Sequence, residues 1–206
     1  FDNCEFTDNG NGLNIQSNTN TTIENSLFQN NNQNGIEFWD HTSYTIDNCE
    51  FLANGYGFYQ YNSNELSPRE IKNSTFMNNN DWAIYGNGSG RPDIRNSRIS
   101  NNGRGMREVG TVQNCIVNNN VANNTVSVVT DSGIYLENGA NRNNITNNTV
   151  SALNFGINMG TGSGNTTVRN NKVITNTSGI AIYNSDGNLI HSNDILSKRN
   201  GCKTAS

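Results

Sequence analysis

A pattern of about 22 to 25 residues recurs along nearly the whole chain, and this repeat constrains the fold more than any other feature. The segment NCEFTDNGNGLNI begins at Asn3, and NCEFLANGYGFYQ begins at Asn48. The two share a tetrapeptide, a polar turn and a glycine-led segment, and they lie 45 residues apart, which is two repeats. Repeats of this length indicate a stacked architecture in which each unit packs on its neighbours.

Each repeat starts with an apolar anchor residue, and other positions keep a fixed distance from it. Asparagine stands two residues after the anchor, a small or amide residue follows, and Phe, Ile or Val stands five residues after the anchor. The nine anchors are Phe1, Ile23, Ile46, Ile71, Ile94, Val121, Ile145, Val168 and Ile190. The asparagine column is Asn3, Asn25, Asn48, Asn73, Asn96, Asn123, Asn147 and Asn170, with Ser192 as the one departure. The column five residues after the anchor is Phe6, Phe28, Phe51, Phe76, Ile99, Val126, Val150, Val173 and Ile195.

The spacing of apolar residues within a repeat predicts strands and excludes helical repeats. Apolar residues alternate with polar ones over short runs bounded by Asn and Gly. Leucine-rich repeats have a similar length, but this chain contains few leucines. Two or three short strands per repeat, stacked at about 4.8 Å, form a parallel β-helix. The sequence therefore predicts an all-β solenoid of about nine coils.

The winding is expected to be irregular between residues 107 and 125. VQNCIV at Val112 fits the anchor pattern, and Val121 fits it again nine residues later, although both cannot start complete coils. The consensus also changes there, from Asn-Ser/Cys-x-Phe to Asn-Asn-x-Val. We expect one domain, 1–206, with blocks at 1–106 and 121–197, an insertion or break between them, and a tail at 198–206.

Composition excludes several classes of protein. Apolar residues make up 32% of the chain, 45 of its 206 residues are asparagine, and the mean hydropathy is −0.71. A net charge of −4 is small for a disordered polar tract and provides no basic stripe for nucleic acid. No apolar run approaches the roughly 20 residues of a membrane span. With neither an initial methionine nor a signal peptide, the chain is expected to be a mature or excised piece.

Stacking places equivalent side chains over one another, so each inward column should contain like residues. We expect a Phe stack that changes into Val and Ile, with an Ile stack beside it. The asparagine column is expected to form an inward amide ladder in a tight bend. Cys4 and Cys49 share a column but lie two coils apart, about 9.6 Å, which is too far for a disulfide.

Outward positions of the glycine-led strand predict a ligand-binding face. The residue two after the glycine should face solvent, and its column contains Glu37, Tyr59, Tyr85, Arg107 and Tyr135. Aromatic rings stack on the apolar face of a sugar, and carboxylates accept hydrogen bonds from its hydroxyls. The predicted substrate-binding residues are Glu37, Trp39, Asp40, Tyr61, Tyr85 and Tyr135. The alternative is that aromatic residues simply favour strands.

The N-N-x-I/V and G-I-x-I segments resemble the right-handed parallel β-helix repeat of pectate-lyase-like enzymes and mannuronan C5-epimerases. The resemblance covers nearly the whole chain, implies right-handed winding, and is unspecific for function. EFWDHTSYTI is the stretch most similar to an epimerase site, although Asp40-His41 lacks the proline that the family has between these residues. The next coil also lacks the second acidic residue that this family uses.

This resemblance implies a lyase or epimerase in which a base removes the proton beside a uronate carboxylate that a cation or amide neutralises. The candidate catalytic residues are His41, Tyr59 and Arg107. The alternative is a surface Asp and His at a turn. No aspartate cluster like the calcium site of pectate lyases is evident, so we predict no metal site and no cofactor, and Ca²⁺ remains unsupported.

Eight N-glycosylation sequons occur, and most follow by chance from the high content of Asn, Ser and Thr. Asn20, Asn87 and Asn165 are expected on loops and are the candidate sites for a secreted protein. Asn73, Asn123 and Asn147 belong to the asparagine column and are expected to point inward, where a glycan does not fit.

Three functions follow from these features. The first is an extracellular or cell-surface scaffold with a glycan-contacting face, which assembles end to end through open β-helix ends. The second is a lyase or C5-epimerase acting on uronate polymers, and the third is a non-catalytic glycan-binding module of a spike or adhesin. Missing catalytic signatures favour the scaffold, with a polysaccharide as the expected partner.

Overall fold

The structure, a computed structural model, describes residues 1–16, 20–39, 43–61, 68–87, 91–107, 109–113, 116–120, 132–136 and 143–205. These residues form 26 β-strands and no helix, arranged as three parallel sheets along one axis. Each turn of the chain contributes one strand to each sheet, so the solenoid has eight complete turns and a ninth of two strands. The predicted all-β parallel solenoid is confirmed, with slightly fewer complete turns than nine. None of the described residues forms a helix long and apolar enough to cross a membrane.

Sheet 1 contains the Phe column. Its nine strands are β1 (Glu5–Thr7), β4 (Leu27–Gln29), β7 (Glu50–Leu52), β10 (Thr75–Met77), β13 (Arg98–Ser100), β16 (Ile116–Asn120), β19 (Thr149–Ala152), β22 (Lys172–Thr175) and β25 (Asp194–Ser197).

Sheet 2 contains the glycine-led strands. Its nine strands are β2 (Leu13–Gln16), β5 (Asn34–Trp39), β8 (Tyr56–Tyr61), β11 (Trp82–Tyr85), β14 (Arg104–Arg107), β17 (Ser132–Leu136), β20 (Phe155–Met159), β23 (Ser178–Tyr183) and β26 (Asn200–Ala205).

Sheet 3 contains the anchor residues. Its eight strands are β3 (Asn20–Glu24), β6 (Ser43–Asp47), β9 (Arg69–Lys72), β12 (Asp93–Arg95), β15 (Thr111–Gln113), β18 (Asn144–Thr146), β21 (Thr167–Arg169) and β24 (Leu189–His191).

The core consists of columns of like side chains, as the repeat predicts. The rings of Phe6, Phe28, Phe51 and Phe76 are stacked, with centroids 4.3 to 4.9 Å apart and planes within 6° of parallel. The register then continues this column from Phe76 to Ile99. In sheet 3 the anchors Ile23, Ile46, Ile71 and Ile94 are paired in register and fully buried. This narrow interior explains how a chain with so few apolar residues folds.

The irregular turn lies where the sequence places it, but its anchor is Val112. Val112 pairs with Ile94 on one side and Ile145 on the other, so the prediction of Val121 as the anchor is wrong. Val112 follows Ile94 by 18 residues and precedes Ile145 by 33, whereas other turns contain 22 to 25. A short turn is therefore followed by a long one. Val121 itself lies outside the described residues, as do Asn123 and Val126.

Asparagine recurs two residues after each anchor for a reason other than the predicted inward ladder. Asn25, Asn48, Asn73 and Asn96 are solvent-exposed, and each has a φ between 48° and 52°. Asparagine tolerates this left-handed conformation better than other residues with a Cβ. Their amides bond along the outside of the corner, for example Asn48 Nδ2 to Asn25 Oδ1 at 2.8 Å. The inward placement was wrong because backbone conformation, rather than burial, selects asparagine here.

A different asparagine column forms the buried ladder. Asn31, Asn54, Asn79 and Asn102 are at most 2% exposed and lie three residues after the core residue of sheet 1. Each of the first three donates its backbone N–H and its side-chain amide to Oδ1 of the next, at 2.8 to 3.1 Å. Each amide also donates to a backbone carbonyl of the Phe column, as Asn79 does to Phe51. The ladder thus satisfies the polar groups of the corner between sheets 1 and 2.

After the irregular turn the buried ladder changes corner. Asn148, Asn171 and Asn193 continue it between sheets 3 and 1, with amide-to-Oδ1 bonds of 2.9 Å. In the first block this corner contains Ser26, Cys49, Ser74 and Ser97, and the hydroxyls of Ser26, Ser74 and Ser97 accept backbone N–H groups of the preceding turn. The consensus change in the sequence therefore marks the transfer of the amide ladder from one corner to the other.

Candidate functional site

The outward face of sheet 2 contains an open groove of about 820 Å³ near its N-terminal strands. Strands β5 and β8 pair Glu37 with Tyr59 and Trp39 with Tyr61, and these side chains alternate with inward residues along each strand. The residues that line the groove are Asn32, Gln33, Asn34, Glu37, Trp39, Gly55, Tyr56, Tyr59, Tyr61, Asn80 and Asp81. A volume of this size is within the range of roughly 300 to 1,000 Å³ that is typical of small-molecule sites.

Four aromatic residues line the groove, namely Trp39, Tyr56, Tyr59 and Tyr61. Trp39 and Tyr61 contact each other at one side, with centroids 4.7 Å apart and planes inclined by 52°. Tyr56 lies at the other side and meets Tyr59 edge to face at 5.3 Å. Tyr61 is 39% exposed. The rings thus surround a polar centre while keeping part of their surface open to solvent.

Glu37 lies at this centre and is fixed by two neutral donors. Its Oε2 accepts hydrogen bonds from Asn11 Nδ2 at 2.8 Å and Asn14 Nδ2 at 2.7 Å. Glu37 as a whole residue is only 9% exposed although it lines the groove. Both hydrogen bonds are accepted by Oε2, and Oε1 takes part in neither of them. This arrangement holds the carboxylate in one orientation.

Asp81 provides a second carboxylate at the rim of the groove, and an arginine balances its charge. Arg104 Nη1 lies 3.2 Å from Asp81 Oδ1, and the Arg104 guanidinium lies 5.5 Å from the ring centroid of Trp82. The Tyr56 hydroxyl donates a hydrogen bond to Asp81. Burial of Tyr56, together with the Asp81 charge and this bond, raises the pKa of Tyr56 to about 12.

Beyond the groove, an aromatic column continues along the same face. The rings of Tyr59 and Tyr85 are stacked, 5.0 Å between centroids and 5° from parallel. The next residue in register is Arg107, whose guanidinium lies 5.0 Å from the Tyr85 centroid and 5.8 Å from the Tyr135 centroid. The cation is therefore held between two tyrosine rings of adjacent turns.

A family comparison agrees with this architecture. The model of the right-handed β-helix region matches residues 1–122 and, in a second overlapping match, residues 34–195. The chain belongs to the right-handed β-helix family. No curated protein and no solved structure gives a significant match to it. Membership of this β-helix family fixes the fold and leaves the function to be argued from the groove.

The β-helix brings together most of the residues predicted as substrate-binding. Glu37, Trp39 and Tyr61 line the groove, and Tyr85 and Tyr135 continue the face along the axis. Asp40 lies outside the described residues. Sequence reasoning missed Tyr56 and Asp81, which lie one or two positions before the small residue that leads each strand. The sequence signal that could have identified Tyr56 and Asp81 is their position at the bend just before the outward-facing strand.

The predicted catalytic set is only partly described. His41 lies outside the described residues, and Tyr85 separates Tyr59 from Arg107 in the column. Burial, followed by the neighbouring Tyr85 and Glu37, raises the pKa of Tyr59, which disfavours the tyrosinate that a proton-abstracting base requires. The catalytic roles of His41, Tyr59 and Arg107 stay predictions.

The remaining sites can be located on the β-helix. Asn20 and Asn165 are exposed and Asn87 is half-buried, so the predicted glycosylation sites are reachable to different degrees. Asn87 and Asn165 lie outside the strands, but Asn20 is the first residue of β3, so its expected loop position is wrong. Asn73 and Asn147 are also exposed, so the expectation that they point inward is wrong. Cys4, Cys49 and Cys202 are free thiols. In the described part of the chain, no three His, Cys, Asp or Glu residues are grouped closely enough for a metal.

Proposed function

We propose that this β-helix is a non-catalytic carbohydrate-binding scaffold whose ligand occupies the groove around Glu37. The observation that carries the proposal is the convergence of Trp39, Tyr59 and Tyr61 on one buried carboxylate within an open groove. Sugars have apolar ring faces and polar edges, and sites for them combine aromatic platforms with hydrogen-bonding side chains. End-to-end assembly and an extracellular location stay predictions.

The amide side chains around the groove suit this ligand class. Asn32, Gln33, Asn34 and Asn80 lie along the lining with both donors and acceptors, so they can bond hydroxyl groups in either sense. The open shape favours a chain that passes through the groove over a small molecule that is enclosed by it. Because the strands of sheet 2 stack along the axis, the Tyr59–Tyr85 pair extends the platform by one further turn.

The polysaccharide lyase alternative has less support from the same residues. A lyase needs a base near neutral pKa and a cation that is able to reach the uronate carboxylate. Burial raises the pKa of Tyr59, and Arg107 is held between Tyr85 and Tyr135. We therefore assign the groove to binding without turnover.

Isothermal titration with a panel of neutral, acidic and amino-sugar oligosaccharides tests the proposal. We expect at least one class to bind, and Tyr61→Ala to weaken that binding about ten-fold, since a stacked aromatic residue is a frequent hot spot. Tyr61 is 39% exposed, so its truncation should leave the fold intact. Tyr183→Ala is the matched control, because Tyr183 lies in a distant strand of the same sheet. Absence of binding, or equal loss in both variants, would contradict the proposal. Release of unsaturated uronate products would instead support the lyase.

A further inference from the structure

The groove has a charge imbalance that restricts its ligand. Its described lining residues include two carboxylates, Glu37 and Asp81, and no lysine or arginine. The Asp81 charge is matched by Arg104 at 3.2 Å. Among the described residues, the side chains that donate to Glu37 are the neutral amides of Asn11 and Asn14, which orient the carboxylate without neutralising it. Among the described residues no cationic side chain lies within salt-bridge distance of Glu37.

A fixed carboxylate surrounded by aromatic rings is chemically suited to a cation with an apolar body. The positive charge is attracted both to the carboxylate and to the faces of nearby rings. Low exposure of Glu37 strengthens this attraction, because water screens a buried charge less. A uronate polymer, by contrast, places a second negative charge beside Glu37 and is repelled.

We infer that the groove recognises an amino sugar with a free ammonium group, whose nitrogen bonds Glu37 Oε1 while its ring stacks on the aromatic walls. This inference rests on the proposed carbohydrate-binding function and specifies its ligand class. The ammonium supplies the positive charge that no described lysine or arginine places within salt-bridge distance of Glu37. Trp39, Tyr59 and Tyr61 then contact the apolar faces of the same or adjacent sugar units.

The test compares glucosamine oligomers, their N-acetylated counterparts of equal length, and oligogalacturonate, by titration at neutral pH and low salt. We expect the glucosamine oligomer to bind about ten-fold or more tightly than the N-acetylated one, because a charge-assisted hydrogen bond is lost on acetylation. Oligogalacturonate should bind more weakly than either. This comparison uses the unmodified protein and needs no variant.

Two variants locate the effect within the groove. Glu37→Gln keeps the side-chain shape and should lower the affinity for the glucosamine oligomer to that of its N-acetylated counterpart, which removes the preference. Glu50→Gln changes the net charge equally but lies on the exposed face of sheet 1, so it should keep the preference. This control separates recognition at Glu37 from general attraction of a polycation to an acidic protein.

The outcomes distinguish the inference from the function on which it rests. Equal affinity for glucosamine and N-acetylated oligomers, or stronger binding of oligogalacturonate, would overturn the ligand class and leave carbohydrate binding intact. Equal loss of preference in Glu37→Gln and Glu50→Gln would also overturn it. If no oligosaccharide binds, the proposed function itself is overturned.

Discussion

Oδ1 of Asn79 accepts two hydrogen bonds from Asn54, one from its backbone N–H at 3.0 Å and one from its side-chain amide at 3.1 Å. The amide of Asn79 in turn donates to Phe51 O at 3.1 Å and to Asn102 Oδ1 at 2.8 Å. One side chain therefore satisfies polar groups on both neighbouring turns in the interior. A chain with little apolar surface depends strongly on such a residue.

Replacing Asn79 with leucine should destabilise the protein by about 3 kcal/mol or more, because several buried polar groups lose their partners at once. Urea unfolding followed by circular dichroism measures the change. Asn176→Ala is the control, since Asn176 is exposed and its truncation should change stability by no more than about 0.5 kcal/mol. Similar losses in the two variants would show that the buried ladder contributes little.

Ala53 has an unfavourable backbone conformation that a single substitution relieves. Its φ is 55°, and the equivalent corner positions in other turns are Asp8, Asn30, Asn78 and Asn101, all with positive φ. Ala53→Gly should stabilise the protein by about 1 kcal/mol, since a Cβ is costly in this region. Thermal unfolding provides the measurement. Ala83→Gly, at a buried strand position without positive φ, should destabilise instead, and the same sign for both variants would refute the explanation.

Cys49 should be protected from thiol reagents in the folded protein. It is 1% exposed, and its burial raises the pKa of its thiol to about 11. A variant retaining only Cys49 should react with a maleimide at pH 8 at a rate limited by unfolding, and urea should accelerate the reaction. A variant retaining only Cys202, which is exposed, should react rapidly without urea. Equal rates in the absence of urea would contradict this account.

The pKa of Tyr56 should depend on Asp81. In Asp81→Asn the pKa of Tyr56 should fall below about 12 but remain above its ordinary value of about 10, because burial is the largest cause of the shift. A pH titration of carbon-13-labelled tyrosine rings measures it, with Tyr56→Phe to assign the resonance. Asp186→Asn, distant from Tyr56, should have no effect, and an unchanged pKa in Asp81→Asn would contradict the interaction.

The same shift determines how stability changes at high pH. Because folding raises the pKa of Tyr56 above its unfolded value, its contribution to stability is complete below pH 10 and is lost as pH rises through 12. Cys49 acts in the same direction between pH 9 and 11. The free energy of unfolding should therefore fall with rising pH above about 9, and Tyr56→Phe should reduce the slope. A slope unchanged by this variant would exclude Tyr56 as a contributor.

The sequence predicts the columns because apolar residues are scarce enough for their spacing to be informative, and the glycines recur at a fixed distance from them. Phe28, Phe51 and Phe76 recur at fixed distances, and so do the outward residues Glu37 and Tyr59. The period alone therefore places both the core and the face that contains the groove.

The buried ladder could not be separated from the exposed column in the same way. Asparagine occupies about a fifth of the chain, so Asn54 in the interior and Asn48 at the surface look alike in sequence. They differ in backbone φ and in hydrogen-bond partners, and the spacing of the sequence repeat indicates neither of these. Likewise Val112 and Val121 fit the anchor pattern equally well, and only the pairing of Val112 with Ile145 decides between them. Tyr56 and Asp81 were missed because they precede the repeating strand positions.

The transfer of the amide ladder between corners limits how this solenoid can be lengthened or shortened. A turn duplicated within the first block places its asparagine at the corner between sheets 1 and 2, where it can bond Asn54 or Asn79. The same turn inserted between Asn148 and Asn171 places its asparagine at a different corner from theirs, so it cannot join their ladder. The solenoid thus consists of two stacks of turns that meet at the Val112 turn. Each stack can be extended only by turns that place asparagine at its own corner.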